Sequence, residues 1–279
     1  MPKFSSYDGT ELAYHLRGAG APLVCLPGGP MRDSVYFGDL GGLSAYRRLV
    51  LLDLRGTGES AVPEDVGTYR CDRQVDDVEA LRVHLGLERM DVLSHSGGGN
   101  LAVLYATRYP ERVGRLVLVA PSVLAVGIAV TGEDRQEVAR LRKDEPWYPE
   151  ASAALEAVVS GSGTEDDWEG IAPFFYGRWD GAAREYHAND ETQRNQEASV
   201  AYVADGAFDP EATRAALARY TAPVLLLAGE VDLNSVPRAV REFAGLFPNA
   251  DLVVQAGAGH SPFLDDPERF ATTVAGWLK

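Results

Sequence analysis

Two cysteines among 279 residues, Cys25 and Cys71, are too few for a disulfide framework, so covalent staples do not hold this chain in shape. Cys25 lies in the apolar run Leu23-Val24-Cys25-Leu26, where a small buried hydrophobe is expected, and neither thiol is a candidate for chemistry. No stretch reaches about eighteen uninterrupted apolar residues. The amino terminus has no basic segment followed by an apolar one, which points to a soluble, cytoplasmic protein with no membrane partner. Basic residues are scarce as well: 26 Lys and Arg stand against 41 Asp and Glu, a formal net charge of −15. A chain so charged repels nucleic-acid phosphates and anionic membrane surfaces, which leaves a small molecule as the expected partner. Gly97-Gly98-Gly99 lacks both the lysine of a phosphate loop and the spacing of a dinucleotide site, and no metal cluster is evident, so no cofactor is expected.

What the chain does have is length and apolar mass, with 46% hydrophobic residues, enough for one large core. The Asp8-Gly9 turn followed by alternating residues to Leu16 predicts an antiparallel hairpin. Four apolar runs then read as strands buried on both faces: Pro22–Leu26, Arg48–Asp53, Met90–Ser94 and Arg115–Ala120. Between them Cys71–Leu85 carries Val75, Val78, Leu81 and Leu85 on one helical face. The rhythm resumes with a strand at Ala222–Gly229, a helix from about Pro237 to Leu246, a strand at Ala250–Val254 and a closing helix. Strands alternating with helices predict an α/β architecture, a mainly parallel doubly wound sheet with helices on both faces.

Residues 122–220 interrupt this pattern with helical stretches and no strand, and they hold 19 acidic against 9 basic residues, a net of −10. They are expected to form a helical cap inserted into a core made of residues 1–121 and 221–279. Trp147, Phe174, Phe175 and Trp179 either form that cap's own small core or line an apolar pocket.

The chemistry centres on Ser94-His95-Ser96-Gly97-Gly98, placed where a strand turns abruptly into a helix. Such an elbow needs small residues two positions either side of its serine, because strand and helix crowd together there. Ser94 and Gly98 meet that need around Ser96; around Ser94 the flank would include the β-branched Val92. An ordinary strand-to-helix loop is the alternative. A serine hydroxyl needs a base, and the base needs an acid to orient it. His260, in Gly257-Ala258-Gly259-His260 past a strand end, is the candidate base, while His15, His84 and His187 read as surface residues and His95 as a packing residue. Asp232 follows the end of the strand at 222–229 and is the candidate acid, with Glu230 as fallback; Ser, Asp, His is the chain order this elbow predicts. Oxyanion N–H groups are expected from Gly97 and from Gly29 or Gly28 in Pro27-Gly28-Gly29-Pro30.

With these residues in place the chain resembles the α/β-hydrolase superfamily over residues 7–279. Within it the chain is similar to proline iminopeptidases, on Pro27-Gly28-Gly29-Pro30, Asp53-Leu54-Arg55-Gly56-Thr57-Gly58-Glu59-Ser60 and the elbow. That group has histidine where this chain has Pro27. The resemblance implies release of an amino-terminal residue from a small peptide or amide, with cap carboxylates binding a cationic amine; Glu185, Asp190, Glu191 and Glu197 are the candidates. A carboxylic-ester hydrolase acting on an apolar acyl group is the alternative, and a cofactor-free lyase, an acyltransferase or a small-molecule binder on the same fold are lesser ones.

Overall fold

The computed structural model describes all 279 residues. In chain order the elements are β1 (Lys3–Ser5), β2 (Glu11–Arg17), β3 (Pro22–Leu26), β4 (Arg48–Leu52), α1 (Val75–His84), β5 (Met90–His95), α2 (Gly98–Arg108) and β6 (Val113–Val119). Six helices follow with no strand among them: α3 (Gly132–Arg140), α4 (Tyr148–Val159), α5 (Glu165–Gly170), α6 (Gly181–Gln193), α7 (Gln196–Tyr202) and α8 (Pro210–Leu217). The chain then returns to the sheet through β7 (Val224–Gly229), α9 (Pro237–Ala244), β8 (Ala250–Gln255), α10 (Pro262–Asp265) and α11 (Pro267–Trp277). No helix is long and apolar enough to cross a membrane.

The eight strands form one sheet in the order β1-β2-β4-β3-β5-β6-β7-β8, antiparallel where β2 meets β1 and β4 and parallel elsewhere. The predicted doubly wound sheet is therefore present, and its central strands β3, β4, β5 and β7 are mainly apolar because each side is covered. Val24 and Leu26 face one core with α1, α2 and α9, whereas Leu23 and Cys25 face the other with Phe263, Phe270 and Val274. Both cysteines are buried and unpaired, and burial pushes their thiols well up.

Helix α1 begins at Val75, after a 3-10 turn over Cys71–Arg73, rather than at Cys71. There the buried Gln74 side chain donates to the Tyr69 carbonyl at 2.6 Å, which holds the chain in a turn before the helix starts. Asp53 and Arg55, both fully buried, are structural anchors. Asp53 accepts from Ser34 N and Oγ and from Glu59 N and pairs with His15 at 3.0 Å; Arg55 pairs with Asp77 and Asp8. His15 is thus a partner of Asp53 and not the surface residue expected of it. Its ring, Asp33 and Asp53 bring ligand atoms within 4.8 Å of one another, but the Asp53 oxygens are already engaged as described.

The strand order reverses between β3 and β5, and such a switch point opens a crevice at the carboxyl ends of the strands. The loops after β3, β5, β7 and β8 all emerge along this edge.

Candidate active site

Ser96 sits between β5 and α2 with φ 51°, a left-handed conformation that a non-glycine residue holds only where its surroundings enforce it. Ser96 N donates to Val119 O at 3.0 Å, and the Ser96 carbonyl accepts from Gly99 N and Ser122 N, both at 2.9 Å. A Cβ at Gly98 would lie 2.4 Å from Pro27 O and 2.5 Å from Leu26 O, so the position two after Ser96 has room only for glycine. Two before it, Ser94 is fully buried with its hydroxyl unpartnered, so a side chain is accommodated on that side.

The loops after β7 and β8 carry Asp232 and His260 to the same point. His260 Nε2 lies 2.8 Å from Ser96 Oγ, and His260 Nδ1 lies 2.9 Å from Asp232 Oδ2. Asp232 has no exposed surface, and its other oxygen accepts from Asn234 N at 2.8 Å and Ser235 N at 3.0 Å. The fallback acid, Glu230, is exposed and instead accepts from Gly257 N at 2.8 Å, bracing the loop that leads to His260.

Of the three amides expected at the crevice, Gly28 N is engaged, donating to Tyr36 Oη at 2.8 Å. Gly29 N and Gly97 N have no protein acceptor, and the two segments are in contact: a Cβ on Gly97 would sit 3.2 Å from Pro30. The Tyr36 hydroxyl continues to His95 Nδ1 at 2.9 Å, and His95 Nε2 donates to the His260 carbonyl at 2.7 Å. Burial, with the neighbouring His260 ring, holds His95 well below the usual histidine pKa, so it stays neutral and its two nitrogens divide into donor and acceptor. His95 therefore does more than pack: it joins the glycine loop to the His260 loop. The inserted helices grip the glycine loop from above. Arg194 donates to Gly29 O, Ser199 Oγ to Pro30 O at 2.7 Å and Asn195 N to Met31 O at 3.0 Å. Tyr36 and these contacts hold a loop whose first residue, Pro27, has no side-chain hydrogen bond to offer.

Two cavities meet at Gly29, Ser96, Asn234 and His260. One, of about 150 Å³, is walled by Arg32, Tyr36, Phe175, Tyr186, Asp190 and Arg194. The other, of about 450 Å³, is mostly apolar, with Pro121, Val123, Leu124, Ile128, Val130 and Val203 in its walls. Among the aromatic candidates Phe175 lines the smaller cavity. Trp147 and Phe174 meet edge to face at 5.0 Å in a separate small core with Leu155 and Ile171, and Trp179 packs beside Tyr176. Glu185, Glu191 and Glu197 are exposed and line neither cavity. Asp190 does line the smaller one, with both oxygens engaged by Arg32 at 3.0 Å and Arg194 at 2.5 Å. His187, expected at the surface, is half-buried in the same wall with its ring nitrogen 3.2 Å from Tyr176 Oη. Sequence reasoning missed Arg32, Tyr36, Arg194 and Asn234; the one available signal was Arg32, two residues beyond the Gly-Gly-Pro turn.

A family model described as alpha/beta hydrolase fold matches residues 21–267. The chain is 27% identical to a proline iminopeptidase of Lactobacillus helveticus, over 98% of this chain and 95% of that one. Among solved structures it is similar to a malate-bound thermophilic esterase from Thermogutta terrifontis, with 26% identity, a TM-score of 0.71, and 99% and 97% of the two chains covered. A proline iminopeptidase from Mycobacterium smegmatis shares the fold, with a TM-score of 0.76 at 24% identity and the same coverage.

Proposed function

The chain belongs to the α/β-hydrolase family, and from that premise we propose that it is a serine hydrolase cleaving a small carboxylic ester through an acyl-enzyme. The observation that carries this reading is the unbroken line from Ser96 Oγ through His260 to buried Asp232. Ser96 Oγ attacks the substrate carbonyl carbon while its proton passes to His260 Nε2. Asp232 holds His260 in the tautomer that leaves Nε2 free and stabilises the imidazolium that forms. Gly29 and Gly97 N–H groups receive the oxyanion, and His260 returns the proton to the departing alcohol oxygen. Water, deprotonated by the same histidine, then splits the acyl-enzyme and releases the acid. Residues 122–220 act as a cap that roofs both cavities and steadies the glycine loop.

The ester reading is favoured over an aminopeptidase because the single carboxylate lining either cavity, Asp190, is already held by two arginines. A second reading, release of an amino-terminal residue from a peptide or amide, is favoured by the likeness to the Lactobacillus helveticus proline iminopeptidase. One assay separates them: proline and alanine nitroanilides, their amino-acetylated forms and short-chain nitrophenyl esters, each with Ser96→Ala as blank. Ester turnover lost in Ser96→Ala is the expected result; cleavage that requires a free amine establishes the second reading instead.

A further inference from the structure

The smaller cavity combines aromatic walls with an excess of positive charge beside Ser96. Arg32 is 6% exposed, and its guanidinium lies between two rings, 4.6 Å from the centre of Tyr36 and 4.7 Å from that of Tyr186. Its Nε and Nη2 donate to Gln193 Oε1 at 2.9 and 2.8 Å, and its Nη1 faces Asp190 Oδ1 at 3.0 Å. Arg194 engages Asp190 Oδ2 through Nε at 3.1 Å and Nη2 at 2.5 Å. Arg32 Nη2 also reaches Tyr186 O at 3.4 Å, and Arg194 Nη1 donates to Gly29 O. Two arginines on one aspartate leave a net charge of +1, with one N–H of Arg32 and two of Arg194 still without a protein acceptor. The Tyr186 hydroxyl, buried in the same wall, also lacks a partner. Burial pushes its ionisation up to about 12, so it remains a donor.

Arg194 also ties the inserted helices to Gly29 O, but one arginine already neutralises Asp190. The second leaves a partly buried positive charge that costs desolvation unless an anion completes it. Ammonium groups meet the opposite situation, a site whose one carboxylate is already paired with two arginines. We propose, resting on the Ser96 hydrolase reading, that the smaller cavity binds the carboxylate end of an anionic substrate, a short dicarboxylic acid esterified at its other end. Arg32 and Arg194 are its specificity residues. The cavity of about 150 Å³ is on the scale of one that accepts benzene, which matches a short acyl chain, while the larger apolar cavity takes the alcohol portion.

The test compares nitrophenyl hemisuccinate with nitrophenyl butyrate, two acyl chains of similar length that differ in terminal charge. We expect kcat/KM to favour the hemisuccinate by roughly tenfold or more, mainly through KM, as for a hydrogen-bonded charged group. In Arg32→Gln and Arg194→Gln that ratio falls toward one; taken within each variant, it is unaffected by loss of folded protein. Asp190→Asn, which adds to the positive excess, keeps or raises it. A wild-type ratio at or below one overturns the proposal, as does a ratio unchanged in both arginine variants. Fluorophosphonate labelling tells the two readings apart. Labelling lost in Ser96→Ala together with a ratio of one removes only the anionic substrate, whereas equal labelling of wild type and Ser96→Ala removes the hydrolase reading and this inference with it.

Discussion

At the carboxyl edge of the sheet Asp53, His95 and Asp232 are buried and engaged with named partners, whereas most acidic side chains of residues 122–220 stand in water. Asp232 makes three contacts without any exposed surface; Glu165, Asp166, Glu169, Glu185 and Glu191 are exposed. The contrast shows why a segment's net charge is a poor guide to the site it covers. Most of the acidic charge of residues 122–220 faces solvent, while Arg194 and Asp190 from this segment meet Arg32 of the glycine loop as two arginines around one aspartate. Long-range steering follows the outer charge, but binding follows the groups within a few ångströms, where screening is weakest.

The largest expected break on the edge side is Ser96→Ala, which removes the proposed nucleophile and should lower kcat for the proposed ester hydrolysis by about 10⁴-fold or more. Circular dichroism unchanged from wild type would assign that loss to chemistry; retained turnover would take Ser96 out of the mechanism. Tyr36→Phe comes next. It leaves Gly28 N–H and His95 Nδ1 without their partner, so unfolding in urea should show a loss of about 2 kcal/mol, with kcat falling as the glycine loop loosens. Acid sharpens the comparison further. Folded His95 resists protonation, while the unfolded chain's histidine takes up a proton near pH ~6.5, so the unfolded state binds more protons below that value. Stability contributed above pH ~6.5 is therefore lost as pH falls, by up to about 1.4 kcal/mol per pH unit, and His95→Gln should flatten that decline. On the cap side, Arg238→Ala cuts the half-exposed pair with Asp134 that links α3 to α9 and should cost about 0.5 kcal/mol or less. A cap pair that proved stronger than the Tyr36 link would reverse the comparison.

Much of the edge was legible in order of residues. Apolar runs located six sheet strands to within two residues at most ends, because a strand buried on both faces tolerates little but Val, Leu and Ile. The elbow was legible from local crowding: Gly98 admits no side chain, and the small Ser94 two residues before Ser96 completes the pattern. Ser96, Asp232 and His260 could be named because each follows the end of a strand, and parallel strands deliver their carboxyl ends to one edge. The cap candidates fared differently. Phe175 reached the smaller cavity, but Trp147, Phe174 and Trp179 did not, and the acids thought to face a substrate face solvent or arginine.

The sequence by itself therefore determined the α/β core, the turn that strains Ser96 and the order in which Ser96, Asp232 and His260 come to the sheet edge. Those features depend on periodicity and on crowding between near neighbours along the chain. Only the tertiary structure decided that Gly28 N–H is engaged, that His95 bridges two loops, and that Arg32 and Arg194 close around Asp190. These partners lie up to 165 positions apart, as for His95 and His260, and their charges and hydrogen bonds are set by packing that no local pattern encodes.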